Sequence, residues 1–92
     1  MKEILEMGQN KRRITVNIYN QSYTMIGKES EEHMNHIAHL VHDKMKDIRS
    51  VNHSLDTTQV AVLTAVNTMN DLIKQREENE RLRQLLNKEE ER

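Results

Sequence analysis

Four histidines, His33, His36, His39 and His42, recur at three-residue steps and form the densest cluster of metal-ligand side chains in this 92-residue sequence. Helical neighbours at i, i+3 can chelate an ion. Each such step turns the helix back by about 60°, so the four rings spread through about 180° and no three converge. No acidic residue occupies a chelating step among them before Asp43. The series therefore reads as a solvated polar face, with no metal or cofactor expected, although five imidazoles would carry the net charge from −1 toward +4 on acidification. Nucleophilic chemistry is no better supplied. Cysteine is absent, Ser22, Ser30, Ser50 and Ser54 fall in turn or cap settings, and two glycines cannot build a phosphate loop or a nucleophile elbow. An enzyme is not expected.

Basic residues form two groups. Lys11-Arg12-Arg13 precedes the first strong strand pattern, where such charges keep an edge soluble or meet an acidic protein partner. Lys44, Lys46 and Arg49 fall late in a helix, where they suit its negative end or the same acidic partner. Lys plus Arg (14) nearly balances Asp plus Glu (15), so no global field draws the chain to nucleic acid or anionic lipid. The alternative function, a dimeric nucleic-acid-binding module with a basic N-terminal arm, lacks the aromatic and base-reading residues that should accompany it.

The elements that carry these groups are legible from pattern. Residues 1–10, with two short apolar pairs and a Gly8-Gln9-Asn10 breaker, are expected to be a flexible arm. Ile14, Val16 and Ile18 then alternate with Thr15, Asn17 and Tyr19, and Ser22 to Ile26 is a second run of β-formers, predicting a hairpin over 12–26 turned at Asn20-Gln21. Ser30 is placed to cap a helix over 31–50, whose Met34, Ile37, Ala38, Val41, Met45 and Ile48 fall within about 100° of arc. Asp56 and Gln59 form a capping box for a second helix that meets no Pro or Gly before the end of the sequence. Its opening turns, Val60 to Val66, are apolar on nearly every side, which implies packing against the first helix, the hairpin and a second subunit.

Beyond Ile73 the apolar content narrows to a seam. Ala65, Leu72, Asn79 and Leu86 recur every seven residues with Met69 and Leu82 beside them, a two-stranded coiled-coil pattern interrupted by Gln75 and Arg76. Asn79 in the seam would fix register at a cost in stability. With 35% apolar residues, 32% charged and only Tyr19 and Tyr23 as aromatics, a thick monomeric core is excluded. The expected architecture is α+β: a head over 11–66 made of the hairpin, the helix and the start of the long helix, then a coiled-coil tail over 67–92, in an obligate oligomer. Its interface is assigned to Val62, Ala65, Val66, Met69, Leu72, Ile73, Asn79, Leu82 and Leu86. No apolar run approaches the roughly 20 residues of a membrane span, so a soluble, cytoplasmic protein with no small-molecule substrate is expected.

The strand-turn-strand from Val16 to Gly27, the helix after it, the segment Leu55-Asp56-Thr57-Thr58-Gln59-Val60-Ala61-Val62-Leu63-Thr64-Ala65-Val66-Asn67 and the charged coil together resemble the cell-division protein ZapA family in its Firmicutes form. The resemblance spans about Arg12 to Leu86 and is most specific over Gln59 to Asn67. It implies a division protein that binds FtsZ, the bacterial tubulin-like GTPase, and bundles its protofilaments at the mid-cell ring as a homodimer or homotetramer. In proteobacterial members a Gly-Arg pair at the hairpin turn contributes to FtsZ binding; the matching positions here are Asn20 and Gln21. A family lysine late in the first helix corresponds to Arg49, with Lys44 and Lys46 nearby. The implied FtsZ contacts are thus Arg12, Arg13, Asn20, Gln21, Lys44, Lys46 and Arg49.

Overall fold

A computed structural model describes residues 4–7 and 12–90. The chain runs β1 (Ile4–Met7), β2 (Arg12–Ile18), β3 (Gln21–Gly27), α1 (Glu31–Val51) and α2 (Thr57–Glu90). The alternation in β2 does what a half-buried strand requires: Ile14 and Val16 are buried while Arg13, Thr15 and Asn17 are exposed. β2 and β3 pair antiparallel, setting Ile14 against Met25, Val16 against Tyr23 and Ile18 against Gln21. On the opposite face, the Thr15 and Thr24 hydroxyls meet at 3.2 Å and Ser22 Oγ donates to Asn17 Oδ1 at 2.7 Å.

Two expectations about the sheet are corrected. Residues 1–10, read as a flexible arm, contain β1, which pairs parallel with β3 from Ile4 opposite Thr24 to Met7 opposite Gly27. The strand order is β1-β3-β2. A bare two-stranded hairpin is marginal in water, and β1 supplies the third strand that it needs. Four residues with a single charge among them are too short to show a period, and the pairing spans about twenty positions of chain, which no local pattern reports. Lys11 and the Gly8-Gln9-Asn10 breaker lie outside the described residues.

The turn is also one residue earlier than expected. Tyr19 and Asn20, with φ of 52° and 67°, form the loop, and Gln21 opens β3. Two consecutive positive φ values in a two-residue loop are the signature of a type I′ turn. The alternative register, turned at Asn20-Gln21, would keep the same residues of both strands on the same faces, so alternation cannot separate the two. It would instead require Gln21 to adopt positive φ.

Above the sheet, α1 starts at Ser30, whose Oγ accepts from the His33 amide at 3.1 Å, and Glu31 and Glu32 occupy its first turn. It lies over β2, and Met34 and Ala38 close on Ile14 and Val16, with Ile18, Tyr23, Met25 and Ile37 half-buried around them. Met45 continues the buried stripe toward the far end of the helix.

α2 opens with the reciprocal box: the Gln59 amide donates to Asp56 Oδ1 at 2.8 Å and the Asp56 amide to Gln59 Oε1 at 3.0 Å. Val60 and Thr64 are buried; every described residue of α2 after Thr64 is exposed. Of the described elements, α2 packs against α1 alone and does not reach the hairpin, contrary to the expectation for its opening turns. The reason lies in the angles of α1. Its Lys44 and Ile48 flank, which carries the ion pair to Asp71 and borders the groove against α2, is turned about 80° from the stripe that covers the sheet.

The anchor between the helices is therefore short, and it is imperfect, because Thr64 Oγ1 is buried without a hydrogen-bond partner among the described residues. Val60→Ala should lower the free energy of unfolding by about 2 kcal/mol in urea titrations at fixed protein concentration. Thr64→Val, which keeps the shape and removes the orphaned hydroxyl, should raise it by about 1 kcal/mol in the same assay.

Candidate functional site

Two surfaces carry the residues singled out by sequence. The first is the hairpin tip. A tyrosine in the left-handed region is uncommon and costs about 1–2 kcal/mol, whereas Asn20 beside it suits that backbone. Three contacts hold Tyr19 there. Its amide donates to His42 Nδ1 at 3.1 Å, its hydroxyl accepts from Arg49 Nη1 at 3.3 Å, and its ring packs against the His42 imidazole with centroids 6.3 Å apart. His42 is thus not part of a solvated face. It lies about 40° beyond Ala38 around α1, close enough to the apolar stripe to face the turn and become half-buried.

A groove of about 610 Å³ runs between the tip and α1, lined by Asn17, Tyr19, Asn20, Asn35, His39 and His42. His39 Nε2 lies 3.2 Å from Asp43, and His33 Nε2 lies 3.9 Å from Glu29. Among the described residues no three His, Asp or Glu side chains gather into a metal-sized cluster.

The proposed partner contacts do not form one patch. Asn20, Gln21 and, through Tyr19, Arg49 gather at the tip. Lys46 is exposed one turn beyond His42. Arg12 and Arg13 are exposed at the opposite end of β2, about 20 Å away at the rise of a strand. Lys44 is already occupied: its ammonium holds Asp71 of α2 in an ion pair. The Tyr19 and His42 contribution was missed by sequence reasoning, because strand alternation assigns Tyr19 outward and a three-residue histidine step assigns His42 to a polar face.

The second surface is α2 itself. Val62, Val66 and Met69 are each more than half exposed, and Leu72, Ile73, Leu82, Leu85 and Leu86 stand open below them. An apolar groove of about 610 Å³ continues this surface between the helices, lined by Ile48, Val51, Leu55, Leu63 and Val66 among others. So much apolar area on one element is more than single surface residues account for and marks an interaction face. Leu63 and Leu85 are exposed too, although they fall outside the heptad seam. On the flank, Arg81 clasps Glu78 through both Nε and Nη2, at 3.1 and 2.6 Å, which lowers the Glu78 carboxyl and raises the Arg81 guanidinium from their ordinary values. No helix among the described residues is long and apolar enough to cross a membrane.

Comparison with known proteins places these features in context. The family model described as Cell division protein ZapA matches residues 14–92. The Cell division protein ZapA of Oceanobacillus iheyensis is 56% identical over 70 residues, covering 76% of this chain and 81% of its own. That of Geobacillus sp. (strain WCH70) is 49% identical over 81 residues, covering 88% and 93%. Among solved structures, a ZapA mutant dimer from Geobacillus stearothermophilus matches with a TM-score of 0.68 and 42% identity, over 86% of this chain and 92% of that one.

The pair between Lys44 and Asp71 is a side-chain bridge between the two helices, and its electrostatics are testable. The hydrogen bond from Lys44, then its charge, holds the Asp71 carboxyl below its ordinary value of 3.8. A depressed carboxyl contributes stability above its unfolded value and loses that contribution as pH falls through the folded one. Asp71→Asn should therefore lower the melting temperature at pH 7. The difference from the parent should close below about pH 4 and shrink in about 1 M salt, as thermal scans at matched concentration would record.

Proposed function

This chain belongs to the cell division protein ZapA family, and on that premise we propose that it is a non-enzymatic crosslinker of FtsZ protofilaments, acting at the mid-cell division ring as a self-associated dimer that can pair further into a tetramer. The observation that carries the reading is the apolar face of α2, open along the element that leads away from the head. A linker between filaments needs at least two binding heads on a stiff spacer, and paired heads turn weak contacts into cooperative bundling. A 34-residue helix is about 50 Å long and can be that spacer once its open face is covered by a second copy.

Self-association through Val62, Ala65, Val66, Met69, Leu72 and Ile73, with Asn79, Leu82 and Leu86 continuing the seam, is favoured by the exposure of the apolar members of this set. The match to a solved dimer supports the same reading. Filament contact is assigned to the head, with Asn20, Gln21 and Arg49 at the tip and Lys46 on the adjoining helix flank. Arg12 and Arg13 form a separate electrostatic contact at the far end of β2. Lys44 serves the joint between the helices instead.

Purified protein added to GTP-assembled FtsZ should raise light scattering and the sedimented fraction at stoichiometric ratios. Unchanged scattering and sedimentation at several-fold molar excess would rule the function out. Met69→Glu should reduce the molar mass measured by multi-angle scattering to that of a single chain and abolish bundling. Arg12→Glu with Arg13→Glu should leave mass and melting in place and weaken bundling several-fold at low salt, with the difference narrowing as salt rises.

A further inference from the structure

We propose that His42 is the positioning residue of the hairpin tip, and that its neutral imidazole, acting as a hydrogen-bond acceptor, locks the turn in the shape that presents Asn20 and Gln21, so that partner binding through the tip is gated by protonation of this ring. The functional half of the proposal rests on the reading of the tip as a filament contact; the lock itself does not.

The geometry carries it. A two-residue turn with positive φ at both positions is normally filled by Gly, Asn or Asp, because a larger side chain strains that backbone. Here Tyr19 stands at the first position with φ of 52°. A strained residue persists only where its surroundings over-determine it, and Tyr19 is held at its amide, its hydroxyl and its ring. The amide contact is the chemically selective one. An N–H can only donate, so the Nδ1 that receives it at 3.1 Å must carry a free lone pair, and the proton of the neutral ring must sit on Nε2. A protonated imidazole has two N–H groups and no acceptor. It would set a donor against a donor and leave the Tyr19 amide without its partner.

The charged groups that face the ring come from α1 alone among the described residues. From α1, Arg49 reaches the same tyrosine and Lys46 follows one turn on. Asp43, the nearest carboxylate along α1, lies 3.2 Å from His39 Nε2, and that contact gains a full charge pair when His39 is protonated. From the sheet side, the groove presents Asn17, Tyr19 and Asn20 and no carboxylate. α2 does not reach this surface. Arg49, assigned above to the filament contact, also holds the Tyr19 hydroxyl from half-buried cover and so steadies the turn.

The test uses the full chain labelled with nitrogen-15. At pH 8 the His42 ring should appear as the Nε2–H tautomer. Lowering the pH to 5.5, across the range in which histidine side chains change charge, should move the Tyr19 amide resonance in step with the His42 ring and lower the protection of that amide, taken against the exchange of an unstructured amide at the same pH, at least tenfold. His42→Ala should give the fast-exchanging Tyr19 amide at both pH values, and His42→Gln, which keeps an oxygen acceptor, should retain protection at both. Adding Tyr19→Gly to His42→Ala should restore the turn, since glycine needs no lock at positive φ. An Nδ1–H tautomer at pH 8, or a Tyr19 amide indifferent to pH and to His42→Ala, overturns the lock. Co-sedimentation with FtsZ then reads the gate. Binding of the parent should fall several-fold from pH 7.5 to 6.0 relative to His42→Gln measured at the same pH, and equal losses overturn the gate. A parent chain that binds no FtsZ at any pH defeats the functional reading, while the resonance data still decide the lock. Should His42→Ala not fold, the parent titration and His42→Gln decide it alone.

Discussion

The long helix is joined to its head by two buried side chains, Val60 and Thr64, and after them every described position of α2 faces out. An isolated polar helix of this length is marginal, since each residue added must repay its conformational entropy with little burial. What makes the arrangement reasonable is a second copy: the apolar residues from Val62 to Ile73 and from Leu82 to Leu86 stand open on the single chain, and the structural match is to a dimer. The rest of the design follows from this dependence. The head stays thin, with one helix over a three-stranded sheet, because the chain's apolar surface is shared between an internal core and an external one.

Within the head, the two flanks of α1 have separate duties. One flank, with Lys44 and Ile48, borders α2 and adds the ion pair to Asp71. The other, with Asn35, His39 and His42, faces the tip of the hairpin and lines the groove beside it. The stripe between them, Met34, Ala38 and Met45, is the only part buried. One helix therefore joins the surface that borders α2 to the surface beside the hairpin tip, with the buried Met34 to Met45 stripe between them.

Much of this was legible from sequence because the devices are local. Alternation through Ile14, Val16 and Ile18 predicts β2, Ser30 marks the start of α1, and the Asp56 and Gln59 pair places the start of α2 by a bond the structure contains in both directions. The features not legible are those settled by distant contacts. β1 depends on a partner about twenty residues away, the turn position depends on what Tyr19 can touch on α1, and the fate of Lys44 depends on Asp71 in another element. For the candidate site this means that Asn20 and Gln21 could be named from sequence, whereas the groups that hold them in place could not. His42 in particular has the same spacing as three exposed histidines and differs from them only in facing a turn.

The sheet order has a consequence for how the chain comes off the ribosome. β1 emerges ahead of its only described strand partner, β3, so residues 4–7 must wait until the hairpin between 12 and 27 has closed on itself. Hairpin closure is a microsecond event, far faster than elongation. α1 then covers β2, and only after that does the segment beginning at Thr57 emerge. The helix that carries the open apolar residues therefore emerges after the elements of the head, so the sheet of each copy can be covered before those residues are outside the tunnel.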